Sequence, residues 1–116
     1  MKKRLILSIL LIFSVLTVSA DRESDRRQAE KYDKEAEYYQ RKADGYYREA
    51  EDYRRKAMNH LNDAQYYLKN GNVYNSISAT DRARSEIRSY ESKTNQAKSA
   101  ERTAQDYRKR AERLRR

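Results

Sequence analysis

The chain has no cysteine, no proline and no tryptophan, only two glycines and a single phenylalanine. Without cysteine, disulfide staples, thiolate metal sites and lipid anchoring at a lipobox cysteine are all excluded. Without proline, and with glycine confined to Gly45 and Gly71, the usual helix breakers are missing. Large aliphatic side chains are scarce too: from Asp21 onward they are only Met58, Leu61, Leu68, Val73, Ile77, Ile87 and Leu114. So few cannot fill a layered core, which leaves alanine and the eleven tyrosines to supply most of the buried surface. Charged residues make up 39% of the chain. High charge with low hydrophobicity is also the compositional mark of disorder, and only a strict pattern can argue against it.

The first twenty residues stand apart from the rest. Lys2, Lys3 and Arg4 form a basic start, Leu5 to Leu16 an apolar stretch, and Thr17-Val18-Ser19-Ala20 a small-residue end before Asp21. This order predicts a secretory signal cleaved after Ala20, and the apolar run falls short of the roughly 18–20 residues that span a bilayer. An exported chain is therefore expected, periplasmic or secreted and of bacterial type, with one domain over residues 21–116.

A strict pattern does exist. Every alanine between Asp21 and Asn72 falls in one seven-residue phase, Ala29, Ala36, Ala43, Ala50, Ala57 and Ala64, and an aromatic ring follows three residues after each: Tyr32, Tyr39, Tyr46, Tyr53, His60 and Tyr67. A repeat averaging 3.5 residues keeps one helical stripe facing a partner helix. With alanine at position a, the b positions carry Glu30, Glu37, Asp44 and Glu51, and the f positions carry Lys34, Arg41, Arg48 and Arg55. Each acid stands four residues before a base, the favourable order for pairs worth about 0.2–0.5 kcal/mol apiece.

The first helix should run from about Ser24 to Lys69. Asn70-Gly71-Asn72 follows as a turn, with Gly71 suited to the left-handed helix end and Asn72 to capping the next helix. Gly45 lies off the seam, where it costs about 1 kcal/mol relative to alanine and marks a candidate bend. A second helix is expected over about residues 73–116. Its stripe reads Ile77, Thr80, Ala83, Ile87, Tyr90, Thr94, Ala97, Ala100, Ala104, Tyr107, Ala111 and Leu114, with two pairs of successive three-residue steps that should overwind the coil locally. The expected fold is all-α: a long antiparallel two-helix hairpin, coiled-coil-like, with an Ala/Tyr heptad seam.

Three further features bear on function. Tyr38, Tyr47 and Tyr66 lie off the seam beside Tyr39, Tyr46 and Tyr67, widening the aromatic face into a candidate partner surface. The formal net charge is +9, and basic residues collect at the C-terminal end as Arg102, Arg108, Lys109, Arg110, Arg113, Arg115 and Arg116. They form a candidate contact for an anionic envelope polymer or lipid surface, although cations at a helix end also stabilise its carbonyls. An exported chain meets little nucleic acid, so none is expected as a partner. His60, the one histidine, sits at an aromatic seam position with Lys56 and Ala64 four residues to either side, so neither neighbour offers a second metal ligand. No catalytic motif, cofactor loop or small-molecule site is legible, and an enzyme is not expected.

The stretch Leu68-Lys69-Asn70-Gly71-Asn72 with Val73, Ala79 and Ala83 resembles the helix–turn–helix junction of tetratricopeptide-like hairpins, over about a third of residues 21–116. No 34-residue repeat is visible, so peptide binding is not carried over. In its signal peptide, basic mature chain, long helical arms and lack of cysteine, the chain is also similar to periplasmic Skp-type chaperones. It is shorter, and no strand-rich assembly core is evident. These observations predict an exported, non-enzymatic coiled-coil structural or interaction protein that self-associates or scaffolds. The competing expectation is an envelope binding module, chaperone-like or anion-binding, that works through the tyrosine flanks and the basic C-terminal helix.

Overall fold

The computed structural model describes the backbone of residues 2–116 and the side chains of residues 21–116; the cleavage expected after Ala20 falls among residues whose side chains are outside the described ones. Two helices make up the chain, α1 (Lys2–Lys69) and α2 (Val73–Arg115). The start expected near Ser24 is not a terminus, because α1 is already helical at Asp21. The end at Lys69 and the restart at Val73 fall where the turn residues place them.

The contacts divide into two units, Tyr38–Ala104 and, separately, Met1–Glu37 with Gln105–Arg116. The unit of Tyr38–Ala104 is a helical hairpin closed by the turn. Gly71 has φ +72°, the left-handed conformation that glycine adopts without penalty. Asn72 N–H donates to the Tyr67 carbonyl at 2.8 Å and Gly71 N–H to that of Leu68 at 3.1 Å, which together form a Schellman ending. Asn72 then serves the next helix: its Oδ1 accepts from Asn75 N–H at 3.1 Å while its carbonyl accepts from Ser76 N–H at 3.1 Å. One asparagine thus completes one helix end and caps the other.

The antiparallel register of this hairpin is fixed by bonds between its helices. The Ser76 hydroxyl donates to the Ala64 carbonyl at 2.9 Å, Lys93 pairs with Glu49 at 2.8 Å, and the Tyr47 hydroxyl donates to Glu101 at 3.1 Å. Partner numbers rise on α2 as they fall on α1. Counting in sevens from Ala64 and Ser76 sets Ala57 opposite Ala83, Ala50 opposite Tyr90 and Ala43 opposite Ala97. The aromatic layer meets small or extended side chains: Tyr39 and Ala100 line one cleft, His60 and Ala79 another, and Lys93 lies over the Tyr46 ring at 5.5 Å.

In the unit of Met1–Glu37 and Gln105–Arg116, Ala29, Ala36 and Ala111 are buried. Tyr32 and Tyr107 meet with ring centroids 5.9 Å apart, and the Arg110 guanidinium lies 6.0 Å and 5.3 Å from the two rings. Arg115 grips both carboxylate oxygens of Asp33. That bidentate bond holds the Asp33 carboxyl below its ordinary pKa and the Arg115 guanidinium above its own.

The buried hydrophobic core of the described residues is alanine alone, and it includes every alanine from Ala29 to Ala111. The six α1 alanines predicted for the seam are all in it, at 0–8% exposure. Their aromatic partners, Tyr32, Tyr39, Tyr46, Tyr53, His60 and Tyr67, are half-buried. On α2 the predicted stripe needs correction. Ile77 is 58% exposed and Ile87 is 39% exposed, whereas Ala79 is buried and Ser76, Glu86 and Lys93 are half-buried.

The observed stripe runs Ser76, Ala79, Ala83, Glu86, Tyr90, Lys93, Ala97, Ala100, Ala104, Tyr107, Ala111 and Leu114. Its steps alternate three and four residues, so the expected overwound interruptions are not there. Lys93 takes its seam position with its ammonium over the Tyr46 ring and paired with Glu49. Gly45 causes no break in α1.

The expected b-to-f ion pairs are also partly replaced. Glu51 is held by Arg54, three residues on, at 2.6 Å, and Arg55 turns to Asp52. The Arg54 fork reaches both Glu51 oxygens, which a single contact to Arg55 would not match. Asp44 accepts from Gln40 at 3.2 Å.

Candidate interaction surfaces

Three outer faces carry the residues that the sequence singles out. The tyrosines Tyr38, Tyr47 and Tyr66 are not brought together. Tyr38 and Tyr66 lie on one side of α1, but 28 residues of helix separate them by about 42 Å. Tyr38 packs edge-on to Tyr39 at 5.2 Å, and Tyr66 to Tyr67 at 5.9 Å. Tyr47 is on the opposite flank and spans the seam to Glu101; burial, followed by that hydrogen bond, raises its phenol pKa. It is therefore a bridge between the helices, while Tyr38 and Tyr66 stand exposed.

Along the tyrosine side runs an open cleft of about 240 Å³ lined by Tyr39, Lys42, Tyr46, Gln96, Ser99, Ala100 and Thr103. The Lys42 ammonium lies 5.2 Å from the Tyr38 ring centre and 5.9 Å from that of Tyr39. Its pKa is raised, chiefly by a hydrogen bond to Tyr38. Lys93 is raised as well, chiefly by its bond to Glu49. The cleft thus has the Lys42 ammonium on its aromatic wall and hydroxyl and amide groups on the other.

Nearer the turn, on the same side, His60 lines a smaller cleft of about 130 Å³ with Asp63, Tyr67, Asn75, Ser78, Ala79 and Arg82. No group of three or more His, Cys, Asp or Glu side chains close enough to share a metal ion occurs among the described residues.

The basic C-terminal set is dispersed in role. All seven are exposed; Arg110 also lies over the Tyr32 and Tyr107 rings, and Arg115 is bonded to Asp33. Arg22, Asp25 and Arg26 share an open hollow with Leu114, Arg115 and Arg116, so an acid sits among the bases there.

Among the described residues, Met58, Leu61, Leu68, Val73, Ile77 and Ile87 are all exposed, and only Leu114 of the large aliphatics is half-buried. Their confinement to residues 58–87 was visible in the sequence; the assignment of Ile77 and Ile87 to the seam concealed it. Among the described residues, no helix is long and apolar enough to cross a membrane. Comparison with known proteins finds no matching family model, no matching curated protein and no matching solved structure.

Proposed function

We propose that the chain is an exported, non-enzymatic coiled-coil protein with a structural or scaffolding task, carried out through self-association. The observation that carries this reading is the division of labour among apolar residues. Among the described residues alanine alone is fully buried, half-buried tyrosines fill the rest of the seam, and six of the seven large aliphatics are exposed. A seam closed mainly by alanine and tyrosine leaves the exposed aliphatics available for contacts with another molecule. The basic, apolar and small-residue order of residues 1–20 supports export.

Binding of an anionic polymer or lipid surface by the C-terminal helix is the weaker reading, because Arg110 and Arg115 are already engaged within the chain. Sedimentation over a concentration series tests the choice. Self-association with no polymer present supports the scaffold. A monomer that binds an anionic polymer with steep salt dependence supports the binding module instead. Intact-mass analysis of the exported form tests the cleavage, and a mature N-terminus at Met1 would contradict it.

A further inference from the structure

The exposed aliphatics of residues 58–87 share one flank of the hairpin formed by Tyr38–Ala104. On α1, Met58, Leu61 and Leu68 recur at spacings of three and seven, which is one helical side. Leu61 and Leu68 stand fourteen and twenty-one residues after Tyr47, at the same heptad position. On α2, Val73 and Ile87 share the heptad position of Glu101, and Ile77 lies four residues after Val73. Since Tyr47 and Glu101 bond to each other across one edge of the seam, both sets border that edge. The two polar clefts, lined by Tyr39, Lys42 and Gln96 and by His60, Asp63 and Arg82, open on the other edge.

The six side chains are 38–61% exposed. Weighted by side-chain size, that is about 500 Å² of apolar surface, in the range of the largest patch on a typical monomer, which is often functional. A stable dimer buries about 800 Å² per partner, and the apolar share of a homodimer interface is about two thirds. The patch supplies that share by itself. Two ion pairs on its borders are closed within the chain: Glu51 with Arg54 at 2.6 Å, and Asp81 with Arg84 at 3.9 Å. A second copy presents the same apolar centre, and so supplies the facing half of that area. A twofold pairing is self-complementary by construction.

We infer that a second copy of this chain docks on the flank of Met58, Leu61, Leu68, Val73, Ile77 and Ile87, making a four-helix contact at the turn end of the hairpin. The inference rests on the self-association reading and specifies its surface: the aliphatic flank, and not the tyrosines on the opposite side.

The test uses the full chain and two readouts. In sedimentation, Leu68→Lys with Ile77→Lys should weaken association at least about tenfold, with helix content unchanged by circular dichroism because both side chains are exposed. Tyr38→Ser with Tyr66→Ser should leave association nearly as it is. In the cysteine-free background, Gln65→Cys, at the centre of the flank, should be cross-linked between copies by a short bis-maleimide, and Arg48→Cys on the outer face should not. If the wild type associates and the lysine variant associates equally, with no cross-link at position 65, the docking surface is wrong and self-association stands. A wild type that stays monomeric at all concentrations overturns both. A monomer that binds neutral phosphatidylcholine vesicles, and loses that binding in the lysine variant, overturns the second copy as occupant in favour of lipid.

Discussion

At the scale of single residues, placement follows size before hydropathy. Alanine is the residue that lets two helices approach closely, and each described alanine is buried while Leu61, Leu68, Ile77 and Ile87 stay outside. This inversion explains which part of the pattern was legible. The α1 alanines and their rings stand in one unbroken phase, so Ala29 to Tyr67 could be read directly. On α2, a search for apolar spacing selects Ile77 and Ile87 and passes over Glu86 and Lys93, because charged residues are expected to face water. Extending the strict phase of Ala111, Ala104 and Ala97 back through Tyr90 and Ala83 to Ser76 would have found the true stripe. Gly45 offers a direct test at this scale. An added Cβ there meets nothing within 4 Å, and the residue lies inside a continuous helix. Gly45→Ala should therefore stabilise the chain by about 0.5–1 kcal/mol, read as a rise in Tm.

At the scale of elements, the turn was legible and its economy was not. Gly71 and Asn72 announce a helix end and a helix start, but only the geometry shows the Asn72 backbone ending α1 while its side chain caps α2. Asn72→Ala keeps the backbone bonds and loses the cap, and should cost about 1 kcal/mol in chemical denaturation. Between elements, the bond of Arg115 to Asp33 was not foreseen, because partners 82 residues apart require the register to be known first. Asp33 is held below its ordinary pKa by that bond, so its contribution is complete above the unfolded carboxylate's pKa and is lost as pH falls through the lowered folded value. Glu51, lowered chiefly by its bond to Arg54, behaves in the same sense. Melting temperature should fall as pH is taken from neutral to below the carboxylate range. Asp33→Asn should start lower at neutral pH and fall by less. Both pairs are solvent-exposed, so the effect is small and is further reduced by salt.

At the scale of the whole molecule, the alanine stripe is a close-packed seam satisfied within one chain. The seam was legible as a contact, but not as an intramolecular one, since a heptad stripe fits a partner helix from the same chain or from another equally well. The cross-helix bonds from Ser76 to Ala64 and from Tyr47 to Glu101 make the choice. The most direct measurement is a pair of thermal melts, Ala50→Leu against Arg48→Leu, each at two protein concentrations. Ala50 is 2% exposed in the layer facing Tyr90, so leucine must overfill it at a cost of about 1–3 kcal/mol. At about 4–8 °C per kcal/mol for a chain of this size, the loss in Tm is easily resolved. Arg48 is on the outer face, where substitutions usually stay within about 0.5 kcal/mol. The account predicts a large drop for Ala50→Leu, a small one for Arg48→Leu, and a gap between them that does not change with concentration. A neutral or stabilising Ala50→Leu, or a gap that closes on dilution, would contradict it.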